Sequence, residues 1–213
     1  METAKSPAEH RVILHNTSWE TYQRLRKERG ESRVPRFAYA RGELEIMSPS
    51  TEHESIAYFI GLLVATFAGE TGVDLYGAGS TTFDREDLER GFEPDACFYI
   101  RNAEVVRGKP RIDPRLDPPP DLIMEVDITS PSLDKFPIYA RIGVSEIWRH
   151  DGERLAIFEL NGEEYTRIAE SKVLPPLTSE TLTRFIEESS SLDIVTWMSR
   201  VREWTRQNTA PSE

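Results

Sequence analysis

Asp121-Leu122-Ile123-Met124-Glu125-Val126-Asp127, followed by Ile128, is the stretch that decides the fold. Apolar side chains flank Glu125 on both sides, as in a short strand buried within a sheet. Carboxylates are almost never fully buried unless something pairs with them. A second acid has similar surroundings, because Pro94-Asp95 leads into Ala96-Cys97-Phe98-Tyr99-Ile100. On a strand, residues two apart share a face and lie roughly 7 Å apart, at about 3.3 Å rise per residue. Asp121, Ile123, Glu125 and Asp127 therefore point one way, and Leu122, Met124, Val126 and Ile128 the other. Glu125 and Asp127 would repel each other without a cation or a basic group between them. A hard divalent ion is the simplest compensation. Such ions use few protein ligands and keep waters, so Asp95 from one strand and Glu125 from its neighbour would suffice. The bland alternatives are a turn residue for Asp95 and a solvent-facing acid at the strand end for Asp127. Asp121, after three prolines, reads as a turn residue.

Outward from these strands, Thr17–Arg29 reads as a helix with a Thr17/Glu20 capping box and Gly30 at its end. Phe37–Met47 alternates as a hairpin turning at Arg41-Gly42. A second helix starts at Thr51, with a Thr51/Glu54 box and a broad apolar face from Ile56 to Phe67, and ends at Gly69 and Gly72. Val73–Tyr76 is expected as a short strand, followed by a polar loop. After the strands at Ala96–Ile100 and Leu122–Ile128, Ser130-Pro131-Ser132 leads into a helix near Asp134 that stops at Gly143. Strands at Glu146–Arg149, Leu155–Leu160 and Tyr165–Ile168 turn at Asp151-Gly152 and Asn161-Gly162. Helices around 178–188 and 192–207 follow. The middle of the chain thus reads helix, strand, strand, strand, helix, strand.

The chain has 213 residues, 38% hydrophobic and 30% charged, which suits one globular domain with its own core. No secretory leader is read at Met1–Glu9, and the apolar run Ile56–Ala68 is shorter than the roughly 20 residues a membrane span needs. Cys97 is the single cysteine, so an internal disulfide and a cysteine-cluster zinc site are excluded and a cytoplasmic setting is expected. A net charge of −11 argues against a protein that coats nucleic acid non-specifically. It leaves room for a nuclease, whose metal and a local basic stretch such as Arg101–Arg111 supply positive charge. Gly77-Ala78-Gly79 lacks the other positions of a nucleotide-binding loop.

Lys135 falls in the first turn of the helix that leaves the Glu125 strand, so its stem can reach back to the carboxylates. There it could orient a water and offset phosphate charge, or simply pair with Asp134 or Glu146. His53, near the start of the second helix, is either a packed or capping residue or a participant in the chemistry. Glu54 is explained by the capping box, which leaves Glu52 as a weak candidate.

These residues, in this order, resemble the PD-(D/E)XK nuclease superfamily, and within it the Uma-two family of restriction-endonuclease-like proteins. The matching text is Gly42-Glu43-Leu44, Met47-Ser48-Pro49-Ser50, His53 and Glu93-Pro94-Asp95. It continues through Pro120–Val126, Ser130-Pro131-Ser132, Lys135, Tyr139-Ala140, Gly143-Val144 and Glu146-Ile147-Trp148. The resemblance implies an α/β fold with a restriction-endonuclease-like core at about 37–160, a central mixed sheet flanked by helices. The N-terminal helix 17–29 and the C-terminal helices 178–207 would be additions within one domain spanning 1–213. It implies Mg²⁺ or Mn²⁺ held by Asp95, Glu125 and the Val126 carbonyl, and hydrolysis of phosphodiester bonds, in DNA rather than RNA. Asp95, Glu125, Lys135, Asp127 and His53 would form the catalytic set. The superfamily places lysine two residues after the second acid, where this chain has Asp127, and in the Uma-two family the lysine stands at the position of Lys135. Asp127 would then bind a second metal or orient Lys135. The departure also motivates an alternative, a catalytically silent nuclease-fold module for nucleic-acid binding or assembly. A carboxylate sugar hydrolase trails both. Tyr139, Gly143 and Trp148 read as structural. A homodimer is expected for cutting two strands, with Trp197 and Trp204 offering a surface unless they pack on their own domain.

Overall fold

The chain alternates strands and helices because short β-branched and aromatic runs are punctuated by glycine-closed helices. The computed structural model describes residues 9–128 and 133–209. In chain order the elements begin with β1 (Glu9–Leu14), α1 (Trp19–Arg29), β2 (Arg36–Ala40), β3 (Glu43–Pro49) and α2 (Thr51–Thr71). Next come β4 (Tyr76–Gly79), β5 (Phe83–Arg85), β6 (Arg90–Phe92), β7 (Ala96–Tyr99), α3 (Ala103–Val106) and β8 (Leu122–Val126). The rest are α4 (Phe136–Ile142), β9 (Glu146–His150), β10 (Leu155–Asn161), β11 (Glu164–Ile168), α5 (Ser179–Ser189) and α6 (Ile194–Thr209).

The strands form two sheets. A six-stranded mixed sheet runs β11-β10-β9-β8-β7-β4, and a five-stranded sheet runs β1-β3-β2-β6-β5. In the larger sheet β8 and β9 are parallel, with Leu122 opposite Glu146, while β7 and β8 are antiparallel, with Ala96 opposite Met124. A parallel pair needs a crossover, which α4 supplies. Every residue of β8 is buried. Leu122, Met124 and Val126 pack on Leu63, Val64, Phe67 and Trp197 from α2 and α6. On the other face Ile123 joins Cys97, Tyr99, Ile138 and Tyr139, together with Phe83 and Phe92 of the smaller sheet. The fold is α/β, a mixed sheet flanked by helices.

Several local expectations shift. Ser18 and Ser50, not Thr17 and Thr51, cap α1 and α2: each takes an extended backbone, and its hydroxyl accepts from Thr21 N and His53 N respectively. The strand expected at Val73–Tyr76 lies at Tyr76–Gly79 instead. Gly72, in the left-handed conformation, closes α2, and the glycines that read as loop form the ladder with β7, where a Cβ on Gly77 would lie 3.6 Å from the Phe98 ring. The polar loop beyond contains β5 and β6, and β1 precedes the first expected helix. Arg41 and Gly42 both have positive φ, as a two-residue hairpin turn requires. Ser130-Pro131-Ser132 lies outside the described residues. Trp197 is fully buried, its ring 5.1 Å from Phe59 and its indole N–H donating to Phe185 O at 2.7 Å, so the surface it offered to a second subunit is covered by its own chain.

Candidate functional site

The two sheets meet along a seam of charged side chains. Asp95 precedes β7; carrying the β7–β8 register one pair past Ala96 and Met124 sets it opposite Glu125. Both belong to the face shared by Cys97 and Ile123, so the two carboxylates point the same way. Asp95 Oδ2 accepts from Val126 N at 2.6 Å, which ties the acid to the neighbouring strand. Its Oδ1 accepts from His53 Nε2 at 2.8 Å and from Arg36 of β2. His53 is held one turn into α2 by the Ser50 cap, and its Nδ1 faces Glu9 Oε1 at 3.6 Å.

Glu125 is bracketed from α4. Lys135 Nζ donates to its Oε2 at 2.6 Å, and the Tyr139 hydroxyl donates to its Oε1. Lys135 sits just before α4, and Pro137 in the first turn starts that helix without needing a backbone N–H partner. Asp127 makes no ion pair with Lys135 and instead pairs with Arg11 at 3.1 Å and Arg149 at 2.9 Å. Asp121 is not a simple turn residue. It is buried and accepts from the backbone N–H of Ile100 and Arg101 at 2.8 and 3.0 Å.

Arg11, Arg36, Glu9 and Glu45 complete the cluster without having been read from the sequence. Arg11 donates to Glu45 Oε2 at 3.0 Å as well as reaching Glu9 and Asp127. Glu9 accepts from Ile128 N at 2.7 Å and Glu45 from Leu133 N at 2.8 Å, so the smaller sheet is tied to the chain just beyond the Glu125 strand. One signal for Glu45 was present: it shares a strand face with Met47, which is buried. Tyr139, read as structural, also touches Glu125. Glu52 is exposed. Of the basic stretch, Arg101, Arg107 and Lys109 pair with Asp121, Asp74 and Asp117.

Five carboxylates (Glu9, Glu45, Asp95, Glu125, Asp127) thus meet Arg11, Arg36, Lys135 and His53, with Arg149 reaching in from the rim. Burial alone would raise Asp95, but His53, Arg36 and Lys135 hold its carboxyl below the usual range. Burial would lower His53, yet Asp95 and Glu9 lift it to about 9, making it a cation at neutral pH. Glu125 goes the other way. Burial pushes it up to about 7, with Asp95 and Asp127 adding to the rise and Lys135 opposing it. Burial would depress Lys135, but Glu125, Glu45 and Asp127 raise it, so the amine stays protonated. Burial and the Glu125 charge raise the Tyr139 hydroxyl, keeping it a donor.

The chemistry of the donor set fits a hard divalent ion. A carboxylate offers about four lone-pair positions, so the contacts above leave Asp95 about one and Glu125 about two. Burial is the main cause of the raised Glu125, and a cation bound to it would favour its ionised form. Such an ion needs only one or two side chains; among the described residues no group of three His, Cys, Asp or Glu is arranged to hold a metal. Nor is any helix among those residues long and apolar enough to cross a membrane.

The chain matches the model of the Uma2 family, described as "Putative restriction endonuclease", over residues 19–194. No curated protein matches it. Among solved structures it is similar to a "putative nuclease belonging to DUF820 from Anabaena variabilis ATCC 29413", with 14% identity, a TM-score of 0.49, and coverage of 80% of this chain and 99% of that one. The family match takes in every member of the cluster except Glu9 and Arg11, and by its extent the chain belongs to the Uma2 family.

Proposed function

We propose that the protein is a Mg²⁺- or Mn²⁺-dependent endonuclease that hydrolyses phosphodiester bonds in DNA. One observation carries this reading: Asp95, just before β7, and Glu125 of β8 are both buried, with Asp95 Oδ2 2.6 Å from Val126 N and Lys135 Nζ 2.6 Å from the second acid. The nuclease-like role of the family supports the reaction class. Asp95, Glu125 and the Val126 carbonyl would hold the ion. When bound, it supplies Lewis acidity that polarises the phosphate and acidifies a coordinated water. Lys135 carries three N–H donors and uses one on Glu125, so two remain to orient a water or to neutralise charge on the pentacoordinate phosphorus. The Tyr139 hydroxyl fixes the Glu125 rotamer, and Arg36 with His53 fixes Asp95, much as outer partners orient metal-binding carboxylates elsewhere.

A second reading, a silent nuclease-fold module, is favoured by one observation: each oxygen of Asp95 and Glu125 already has a donor from the chain. One experiment separates the two. The full chain is incubated with supercoiled plasmid, linear DNA and RNA, with and without Mg²⁺ or Mn²⁺, beside Asp95→Asn and Glu125→Gln. Metal-dependent cutting abolished by both substitutions is expected. Cutting that survives Glu125→Gln refutes the mechanism, and DNA binding without turnover under either metal selects the silent module.

A further inference from the structure

We propose that the cleft bounded by the end of α1, by β4 with the loop that follows it, and by the loop after α3 is a track for a single strand of nucleic acid leading to Asp95 and Glu125. The cleft encloses about 650 Å³, with Arg26, Arg29, Arg33, Lys109 and Arg111 on its walls against Glu31 and Glu93. Glu93 is neutralised in place: Arg29 grips it at 2.5 and 2.6 Å, and Thr82 and Phe37 N donate to it. Arg26 and Lys109 are tied to Asp84 and Asp117. Arg33 and Arg111 are exposed and form no ion pair among the described residues. On a chain of net charge −11, most of the surface repels a polyanion, and a concave patch where cations prevail focuses it.

Three further features select one strand. Half-buried Tyr76 lines the cleft with its ring 6.5 Å from that of Tyr99, and its cleft side would serve as a platform for an unpaired base, the partner that basic grooves use. Gly79 on the wall has open space where a side chain would be, so phosphate can approach the backbone. The volume suits a few nucleotides rather than the girth of a duplex. Position links the cleft to the acids. Gly79 pairs with Cys97, two residues and roughly 7 Å along the strand from Asp95.

The inference rests on the nuclease reading, and its test is a binding assay in EDTA, so that absence of cleavage and absence of binding are read separately. Fluorescence anisotropy follows a labelled oligothymidylate with the wild type, Arg33→Ala/Arg111→Ala, Tyr76→Leu and the control Arg206→Ala on α6. The double variant is expected to bind at least tenfold more weakly with an unchanged Tm. Its log–log salt slope should be shallower by about 1.4, since each phosphate contact on a single strand contributes about 0.7. Tyr76→Leu is expected to lose about tenfold in affinity with the slope retained. Unchanged binding by the double variant, an equal loss in Arg206→Ala, or duplex bound as tightly as the single strand overturns the proposal. So does full displacement of the strand by millimolar inorganic phosphate, which would mark a small-anion pocket instead.

Discussion

Lys135→Met keeps the buried stem and removes its charge. Nζ lies 2.6 Å from Glu125 Oε2 and 4.0 Å from Glu45 Oε1, with 8% of the Lys135 side chain exposed. At an effective dielectric of about 20, unit charges 2.6 Å apart attract by roughly 6 kcal/mol. Desolvation of both groups offsets much of that. Removing one partner strands the other, and breaking a buried pair typically costs about 3–5 kcal/mol. Glu125 can escape by taking up a proton, since its pKa already stands at about 7. The expected loss is therefore near the lower limit, about 3 kcal/mol. For a chain of this size each kcal/mol moves Tm by roughly 2–4 °C, which gives a fall of about 6–12 °C. Lys135→Met/Glu125→Gln removes both charges of the pair and should recover about 2 kcal/mol of the loss. Urea unfolding at pH 8, followed by tryptophan fluorescence and circular dichroism, measures both. A loss under about 1 kcal/mol, or a double variant no more stable than the sum of its singles predicts, refutes the claim that these side chains form a charged pair.

Glu9 is held down at about 2, below its ordinary 4.5: burial would raise it, but His53, Arg11 and Ile128 N stabilise the carboxylate. A depressed acid contributes stability in full above its unfolded value and loses it as pH falls through the folded one. Its contribution is about 3 kcal/mol at pH 7, of which roughly 2 is gone by pH 3, so the Tm gap between wild type and Glu9→Gln should narrow across that range in thermal melts. Gly91→Ala is expected to destabilise by about 1–3 kcal/mol in urea titrations, because the added Cβ would overlap the Tyr22 hydroxyl and lie 2.6 Å from Asp84 Oδ1. Trp197→Ala empties a fully buried site between α2, α5 and α6, at about 3–5 kcal/mol, which calorimetry would register as a drop of roughly 6–20 °C in Tm.

The larger sheet was legible wherever sequence carries its own contradiction. Glu125 among apolar neighbours announced a buried acid, and Gly72 and Gly143 marked helix ends because few other residues accept the left-handed cap. Asp95, Glu125, Lys135 and His53 do meet in space. Arg11, Arg36 and Glu45 escaped notice because a buried ion pair looks like surface charge until its partner is known. Arg11 finds Glu45 34 positions away and Asp127 116 positions away. The three-residue strands β5 and β6 are too short to show a period, and β1 runs Glu-His-Arg then Val-Ile-Leu, with no polar–apolar alternation to mark a strand. The displaced strand at Tyr76–Gly79 has a different cause: glycine lowers strand propensity, so Gly77 and Gly79 read as loop although they pair with β7.

The seam that joins Glu9 to Ile128 and Arg11 to Asp127 spans 119 and 116 positions of chain. Contacts of such long range close late, after most of the polypeptide has been synthesised. A partly made chain therefore lacks the brackets that Glu9 and Arg11 place on Ile128 and Asp127 until both ends of the seam exist. Alterations to the leading edge strand, although far from Glu125 in sequence, act directly on the centre of the molecule.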